Sequence, residues 1–281
     1  MKIEFTKMQA FGNDYVYIFT EGLHIDDYGD LAKKISDRHF GVGSDGMVLI
    51  SYSKTCDFRM RIFNPDGTEA QMCGNALRST AKFVYYHGLT DKEVITVETL
   101  GGVKTAYLTV ENGEVTNIHA AIGSPEFSAV KIPVISSKED FIEQEKLVLD
   151  KKFKMSSLSW GNPHTVVYVD DVDGFDVEKY GVAIEHLDCF PERTNVTFAQ
   201  VVDDKKIKIR EWERGTGETL GCGTGCCTAV VFSNLLGKCG REVEVMQIGG
   251  PLSVLWDEDG IVHMTGPSHV VFEGEYIYDI K

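Results

Sequence analysis

One stretch of the sequence occurs twice, and this internal repeat limits the folds that the chain can adopt. The first copy runs from Phe58 to Cys73 and the second from Ile207 to Cys222, at an offset of 149 positions (222 − 73). The same offset relates further residues: Arg61 and Arg210, Phe63 and Trp212, Glu69 and Glu218, Gly74 and Gly223, Gly88 and Gly237, Glu93 and Glu242, Gly101 and Gly250, and Gly12-Asn13 and Gly161-Asn162. A long repeat without gaps indicates a duplicated unit. Because two copies are too few for a solenoid, we expect two similar lobes, each with one cysteine on the cleft between them.

The length and charge of the chain narrow its class. Its 281 residues suit two domains of roughly 130 residues each, which we place at 1–122 plus 268–281 and at 123–267. The net charge of −15 disfavours a nucleic acid or an anionic membrane as partner, since both require a basic patch. No apolar run approaches the roughly 20 residues of a membrane span, and no signal-peptide core follows the first residues. We therefore expect a cytoplasmic protein.

The seven cysteines predict reduced thiols rather than a disulfide scaffold, because their number is odd in a long chain. Cys222, Cys226 and Cys227 lie close together, but neither a paired CxxC nor an H-x₃₋₅-H motif completes a zinc site. We therefore expect no metal.

Hydrophobic periodicity predicts the main elements. Residues 3–19 alternate as two strands around a Gly12-Asn13 turn, and apolar spacing predicts a helix over 27–38. The Gly-rich segment 41–46 precedes a strand and lacks the Lys-Ser/Thr of a phosphate-binding loop, so we interpret it as a turn. Helices are predicted over 75–87 and 224–236, each closed by a glycine. The remainder is rich in strands, except that 136–152, with many Lys and Glu residues, is predicted to be a solvated helix or loop.

The second of these two helices has apolar residues on every side, and no charged residue lies between Glu218 and Lys238. A helix of this kind is buried all round. The predicted class is therefore mixed α/β (α+β), with two pseudo-symmetric lobes. Each lobe is a curved, mainly antiparallel sheet wrapped around a central helix, and the active site lies in the cleft between lobes.

Cys73 and Cys222 come just before these helices, at the positive end of the helix dipole. This location should lower the pKa of each thiol below its free value of about 8.5 and should favour binding of a carboxylate. One sulfur on each face of an amino-acid α-carbon could remove a proton from one side and return one to the other. The remaining five cysteines are interpreted as small apolar residues. The repeat distinguishes Cys73 and Cys222 from them, since these two occupy equivalent positions.

The residues flanking the cysteines differ between the copies. Asn64 corresponds to Glu213, and Pro65 corresponds to Arg214. A carboxylate could take a substrate ammonium group, and a guanidinium could bind a second carboxylate with two hydrogen bonds. Asn13, Asn162 and Asn195 are either turn residues or further amide contacts, and the sequence leaves both readings open.

The sequence resembles the diaminopimelate epimerase family over nearly its whole length. The longest matching segment is Glu211-Trp-Glu-Arg-Gly-Thr-Gly-Glu-Thr-Leu-Gly-Cys-Gly-Thr-Gly225. The others are Lys7-Met8 with Gly12-Asn13-Asp14, Gly41-Val-Gly-Ser-Asp-Gly46, Arg61-Ile-Phe-Asn-Pro-Asp-Gly67, Met72-Cys-Gly-Asn75, Gly161-Asn-Pro-His164 and Phe190-Pro-Glu-Arg-Thr-Asn195. The resemblance implies an isomerase that converts LL-2,6-diaminopimelate to meso-diaminopimelate, in lysine and peptidoglycan precursor biosynthesis. It also implies that the enzyme needs neither pyridoxal phosphate nor metal, and that it is a homodimer.

The resemblance further implies a role for each site residue. Cys73 and Cys222 would be the pair that exchanges protons with the α-carbon. The backbone amides of Gly74-Asn75 and Gly223-Thr224 would bind the reacting carboxylate, and Glu213 the reacting amine. The distal end of the substrate would be held by Asn64, Asn162, Asn195 and Arg214.

Two alternatives stay open from the sequence. Ala76-Leu77, Trp160 and Leu187-Asp188 depart from the usual family pattern, so a cofactor-independent racemase of another amino acid, such as histidine, is the nearest alternative. A thiol–disulfide redox protein is a weaker alternative, because the sequence lacks CxxC at Cys73 and Cys222.

Overall fold

The computed structural model describes residues 1–279 and contains four helices and eighteen strands within that range. The helices are α1 Tyr28–Ser36, α2 Gly74–Tyr86, α3 Val177–Glu185 and α4 Gly223–Leu235. The strands are β1 Lys2–Ala10, β2 Asn13–Phe19, β3 Met47–Tyr52, β4 Phe58–Phe63, β5 Glu69–Ala70, β6 Val94–Thr99, β7 Gly102–Glu111, β8 Glu114–Gly123, β9 Phe141–Val148, β10 Lys151–Ser159, β11 Pro163–Tyr168, β12 Asn195–Asp203, β13 Lys206–Glu213, β14 Gly217–Thr219, β15 Glu242–Gln247, β16 Gly250–Trp256, β17 Val262–Gly266 and β18 His269–Ile277. The predicted mixed α/β class is confirmed. The last two residues of the predicted C-terminal segment, 280 and 281, lie outside the described residues.

The chain divides into two compact units. Unit 1 comprises residues 1–120 together with the segment from Thr265 onwards, and unit 2 comprises residues 121–264. Each unit has a hydrophobic core of its own. In unit 1, Ile3, Val16 and Leu31 belong to one such core cluster, and in unit 2 Met155, Ile184 and Phe198 belong to another.

The strands of unit 1 pair mainly antiparallel. The hairpin of β1 and β2 turns at Phe11 and Gly12, whose φ angles of 57° and 80° suit the twist of a tight hairpin. β1 also pairs with β18, β3 with β4, and β7 with both β6 and β8, all antiparallel. The pairings of β2 with β3 and of β4 with β6 are parallel. α2 packs against β1, β2, β4 and β7.

Unit 2 repeats this arrangement. β10 and β11 form the hairpin that corresponds to β1 and β2. β11 and β12 are parallel, β12 and β13 antiparallel, and β13 and β15 parallel. α4 packs against β11, β12, β13, β15 and β16, and most of its residues are buried. The central, fully surrounded helix predicted for the second copy is thus confirmed.

The offset found in the sequence also relates the elements of the two units. β1, α1 and α2 become β10, α3 and α4 when 149 is added to their bounds. The N-cap residues follow the same rule: Asp27 accepts a hydrogen bond from the Asp30 amide, and Asp176 accepts one from the Lys179 amide. The duplicated sequence therefore encodes a duplicated local structure.

One pair of salt bridges is also duplicated. Arg61 binds Glu69 with two hydrogen bonds of 2.8 and 2.9 Å, and Arg210 binds Glu218 with two of 2.6 and 2.9 Å. Each pair joins the strand that leads towards the cysteine to the short strand that follows it. Both therefore brace the turn before the cysteine-bearing helix.

The prediction for residues 136–152 is wrong, because this segment contains β9 and the start of β10. β9 pairs antiparallel with β10, and its ends, Phe141 and Val148, are buried while Glu143, Glu145 and Leu147 are exposed. Glu143 and Glu145 lie on the exposed side of β9, where charge is tolerated and discourages pairing with other chains. In unit 1 the corresponding place beside β1 is taken by β18.

Among the described residues, no helix has both the length and the apolar character that a membrane crossing requires.

Candidate active site

Cys73 and Cys222 are the N-cap residues of α2 and α4. Their φ angles of −143° and −126° are extended, and the helix begins at the next residue in both. The first turn is closed by the Leu77 amide donating to the Cys73 carbonyl at 2.9 Å and by the Cys226 amide donating to the Cys222 carbonyl at 3.0 Å. The thiols therefore lie where helix amides are not yet paired within the helix. The predicted location of both cysteines is confirmed.

A network of amides surrounds Cys73 in unit 1. The Cys73 thiol donates to Oδ1 of Asn13 at 3.7 Å, and Nδ2 of Asn75 donates to the same oxygen at 3.3 Å. Nδ2 of Asn13 donates to Asp45 at 3.0 Å, and the fully buried Arg78 donates to Oδ1 of Asn75 at 2.7 Å. Asn13 is thus held from two sides and presents its carbonyl oxygen to the sulfur.

The sulfur of Cys222 has different neighbours in unit 2. It accepts a hydrogen bond from the Gly225 amide at 3.4 Å and lies 3.4 Å from the Thr224 hydroxyl. The Cys222 amide donates to Oε1 of Gln247 at 3.0 Å. Cys222 as a residue is 9% exposed, so the first turn of α4 largely buries it.

The pKa prediction for Cys222 is wrong. Burial raises the pKa of this thiol well above its ordinary value, and the Glu213 and Glu211 carboxylates add to the increase. The Thr224 hydroxyl and the Gly225 amide oppose it but do not overcome it. A helix N-terminus is worth roughly 0.3–2 kcal/mol, whereas removing an unpaired charge from water costs several kcal/mol, so burial dominates.

A buried imidazole and a buried carboxyl lie beside Cys222. Nδ1 of His164 is 3.9 Å from Oε1 of Glu211, and both side chains are almost completely buried. Neither ring nitrogen nor either carboxyl oxygen has a hydrogen-bond partner within the described part of the chain. Buried polar groups without partners are rare and commonly mark functional sites.

Both groups are shifted towards their neutral forms. Burial lowers the pKa of His164 to about 3, and the Arg214 cation adds to this effect. Burial raises the pKa of Glu211 well above its ordinary value; contacts with Thr197 and Cys222 oppose the increase, and Glu213 adds to it.

The absence of a side chain at Gly225 leaves space for the Glu211 carboxyl. A Cβ atom added to Gly225, in the first turn of α4, would lie 2.4 Å from Oε2 and 2.7 Å from Oε1 of Glu211. These separations are far below van der Waals contact. Gly225 is therefore required by the carboxyl group that packs against the helix backbone.

The predicted distal residues of unit 2 are joined by hydrogen bonds. The buried Asn195 donates from Nδ2 to the Pro163 carbonyl at 2.9 Å and accepts from the Arg214 amide at 3.0 Å. Nη1 of Arg214 donates to the Glu192 carbonyl at 2.9 Å. Asn162 directly precedes Pro163 at the start of β11, so its backbone adjoins the residue that is hydrogen-bonded to Asn195.

Two further predicted residues lie in turns near the ends of β4 and β13. Nδ2 of Asn64 donates to the Thr68 hydroxyl at 3.0 Å, within the turn that follows β4. Glu213 accepts a hydrogen bond from the Thr219 hydroxyl at 2.6 Å. Of the predicted carboxylate-binding residues, Gly74, Asn75 and Gly223 are buried in the first helix turns, and Thr224 is half-buried.

One set of three described residues could offer ligands to a metal ion, namely His164, Glu211 and Cys222. Their ligand atoms all lie within 4.8 Å of one another. The set does not require an ion, because a neutral imidazole, a protonated carboxyl and a thiol carry no net charge. We therefore interpret the cluster as a proton and hydrogen-bond network.

The sequence reasoning did not assign Glu211 or His164 to the site, although both lie in motifs that it quoted. The repeat carries the signal for Glu211, since Glu211 corresponds to Ile62 at the 149-residue offset. One copy has a carboxylate where the other copy has a buried isoleucine, and packing of the core alone does not explain this difference.

The neutral state of His164 predicts that the contribution of this side chain to stability falls in acid. The raised pKa of Glu211 acts in the opposite direction, so only the difference between the wild type and a variant without the imidazole reports on His164. The folded chain does not protonate His164 until about pH 3, whereas the unfolded chain does so near pH 6.5. The contribution of His164 to stability is therefore complete well above pH 6.5 and is lost as the pH falls below it, by about 1.4 kcal/mol between pH 7.5 and 5.5. Urea unfolding of the wild type and of His164→Gln at these two pH values measures the difference. An equal loss in both proteins would contradict the neutral buried imidazole.

Comparison with solved structures identifies the fold. The chain is similar to a PhzF-family phenazine biosynthesis protein from Bacillus anthracis, with a TM-score of 0.71 and 20% identity, covering 99% of this chain and 100% of that one. It is also similar to a hydroxyproline epimerase from Agrobacterium vitis, with a TM-score of 0.65 and 14% identity, covering 98% of this chain and 91% of that one. The chain thus has the two-lobed α/β fold of the PhzF and proline racemase type.

Comparison of sequences identifies the family within that fold. The profile of diaminopimelate epimerase matches residues 5–127 and 156–271. A diaminopimelate epimerase from Methanococcus maripaludis is 46% identical over 274 residues, covering 97% of this chain and 99% of that protein. One from Desulfovibrio desulfuricans is 48% identical over 281 residues, covering 98% of each. The chain belongs to the diaminopimelate epimerase family and is an isomerase that acts on a small molecule.

Proposed function

We propose that the enzyme converts LL-2,6-diaminopimelate to meso-diaminopimelate by moving protons between one α-carbon and the thiols of Cys73 and Cys222. The family match over most of the chain supports the reaction. The observation that carries the mechanism is that the two cysteines are N-caps of equivalent helices. The first backbone amides of a helix have no carbonyl partner within it. The mechanism requires both thiols to reach opposite faces of one α-carbon.

The reaction needs one thiolate and one thiol. The thiolate removes the α-proton, and the carbanion accepts a proton from the other thiol. At the end of the turnover, the cysteine that began as a thiolate is a thiol, and the other is a thiolate. No electron is transferred, so no redox partner is required. Two proton-transfer groups of the same type suit a reaction that runs in both directions.

The backbone amides of Gly74-Asn75 and Gly223-Thr224 are proposed to bind the reacting carboxylate. Amides at helix N-termini are suited to anions, and these donors would stabilise negative charge as the carbanion forms. Glu213, already oriented by the Thr219 hydroxyl, would take the reacting ammonium group.

The distal amino-acid end is proposed to bind Asn64, Asn162, Asn195 and Arg214, with Asn13 contributing on the Cys73 side. The hydrogen bonds of Asn195 suggest how it acts. Its amide oxygen holds the Arg214 backbone. The guanidinium donates from Nη1 to the Glu192 carbonyl, and its other N–H groups would bind the substrate carboxylate.

The test of the function is isotope exchange by the wild-type enzyme. In D₂O, LL-diaminopimelate should yield meso-diaminopimelate with deuterium at the inverted α-carbon, detected by NMR and chiral chromatography. Histidine and proline, offered at the same concentration, should not exchange. Exchange of either at a rate equal to that of diaminopimelate would instead indicate a racemase of another substrate class.

We also propose that the enzyme acts as a cytoplasmic homodimer. β18 exposes Val271, Phe272 and Ile277, and exposed apolar side chains grouped on one strand are typical of a protein interface. Light scattering at micromolar concentration should give twice the mass of one chain; the mass of a single chain would contradict the dimer.

A further inference from the structure

The surroundings of the two cysteines differ at one strand residue, the one that packs against the helix carrying the cysteine. Glu211 lies on β13, and its carboxyl packs on Gly225 beside Cys222. At the 149-residue offset, β4 carries Ile62, which is 1% exposed, and α2 carries Ala76. The fold therefore accepts an apolar residue at this position, and it does not require the carboxyl of Glu211.

The groups around Cys222 leave the Glu211 carboxyl two nearby acceptors. The Cys222 sulfur and a ring nitrogen of His164 lie within 4.8 Å of a Glu211 oxygen. Other polar or charged groups also lie at the cluster. Glu213 and Arg214 act on it through charge, and Thr197, Thr224, the Gly225 amide and Gln247 lie beside it. Burial, the nearby Glu213 and the neutral imidazole all disfavour a second negative charge on Glu211.

We propose that Glu211 is a positioning residue for Cys222, whose protonated carboxyl donates a hydrogen bond to the Cys222 sulfur when that sulfur is a thiolate. The inference rests on the proposed function, because Cys222 must pass through the thiolate state in each turnover. When Cys222 is a thiol, the carboxyl hydroxyl can turn to the lone pair of His164. The carboxyl keeps its proton throughout, so proton balance between Cys73, the α-carbon and Cys222 is unchanged.

The arrangement explains how a thiol buried with two carboxyl groups can ionise. The two donors already at the sulfur, the Gly225 amide and the Thr224 hydroxyl, are at 3.4 Å, which is long for a strong hydrogen bond to oxygen but within the range for sulfur. A third, acidic donor adds a hydrogen bond to a charged acceptor, which corresponds to roughly 10- to 100-fold in an equilibrium. Cys73 has an amide network in place of this carboxyl.

The test measures the thiolate directly and uses no substrate. In a Cys73→Ser background, iodoacetamide labelling of Cys222 is followed as a function of pH, with the labelled cysteine located by fragment mass spectrometry. Glu211→Gln keeps a neutral N–H donor. Glu211→Ile places at position 211 the residue that the other copy uses, and Ile62→Val serves as a packing control in the matching strand.

The expected order separates hydrogen bonding from charge and from packing. At pH 7, Glu211→Gln and Ile62→Val should label within about 3-fold of the background protein, while Glu211→Ile should label at least about 10-fold more slowly, with its midpoint about one pH unit higher. Labelling of Glu211→Ile at or above the background rate would overturn the inference. It would show that the Glu211 carboxyl of the background protein either is ionised and repels the Cys222 thiolate or has no effect on it. Should Glu211→Ile fold poorly, Glu211→Ile with Gly225→Ala restores the Ile–Ala pair of unit 1, and the same outcomes apply.

The labelling experiment can be interpreted separately from the test of the proposed function. Absence of deuterium exchange on diaminopimelate would overturn the reaction but would leave the labelling order unaffected. A normal exchange rate combined with the contrary labelling order would overturn only the role of Glu211.

Discussion

Cys73→Ala and Cys222→Ala should each lower the rate of meso-diaminopimelate formation by at least about 10³-fold. Each variant removes one proton carrier, and a positioned proton-transfer group typically contributes 10²–10⁴-fold. Removing either carrier also prevents completion of the inversion, because the second face of the α-carbon then has no donor. The measurement is turnover of LL-diaminopimelate with deuterium incorporation in D₂O.

Cys56→Ala is the matched control for these variants. Cys56 is half-buried and lies in the loop before β4, away from either helix N-terminus. Its replacement should leave turnover within about 2-fold of the wild type. Turnover above a tenth of the wild-type rate in either Cys73→Ala or Cys222→Ala would exclude the two-thiol mechanism.

Gly225→Ala should destabilise the protein although alanine is the better helix former. The gain in helix propensity is about 1 kcal/mol, but the new Cβ would lie 2.4 Å from Oε2 of Glu211. Overpacking of this kind costs roughly 1–3 kcal/mol, and here it also displaces a buried carboxyl without other hydrogen bonds. The net expected loss is about 1–2 kcal/mol, measured by urea unfolding at pH 7.

The double variant Glu211→Ile with Gly225→Ala tests the origin of that loss. It recreates the Ile62–Ala76 pair of unit 1, so the clash is removed and the propensity gain remains. The coupling energy between the two sites should be about 1–3 kcal/mol in favour of the double variant. Additive effects would show that the Gly225→Ala loss does not come from contact with Glu211.

Much of the fold could be predicted because the repeat and the local patterns agree. Phe58, Met60 and Ile62 alternate with Arg59 and Arg61, a pattern that by itself predicts β4. Gly88 and Gly237, with φ angles of 64° and 67°, end the two central helices as expected. The N-cap positions of Cys73 and Cys222 followed from the same pattern. These features depend on local periodicity and turn chemistry, which a sequence displays directly.

The sequence pattern does not predict α3, because the helix depends on a tertiary contact that outweighs local propensity. Gly181, in its interior, disfavours a helix by about 1 kcal/mol relative to alanine. A Cβ there would lie 2.5 Å from the Trp212 ring, so the glycine accommodates the larger side chain. In unit 1 the corresponding residues are Ala32 and Phe63. A large residue on the strand is thus matched by a smaller one on the helix, as in the pair of Glu211 and Gly225.

The chemistry of Cys222 was only partly predictable for a related reason. The helix N-terminus can be read from the sequence and favours a thiolate, but the burial that raises the pKa of Cys222 depends on side chains from β11 and β13. The relevant difference, Glu211 in one copy and Ile62 in the other, is visible in the sequence only when its two halves are compared.

The origin of the strand beside β1 affects how the protein forms during synthesis. Unit 2 obtains its corresponding strand, β9, from within its own continuous segment, so that all its parts have left the ribosome once residue 264 has emerged. Unit 1 obtains β18 from a segment that follows the whole of unit 2, and Met1 exchanges backbone hydrogen bonds with Tyr278. Until residues 269–277 have emerged, β1 therefore presents one open edge, and the unit whose synthesis begins first is the last to be completed.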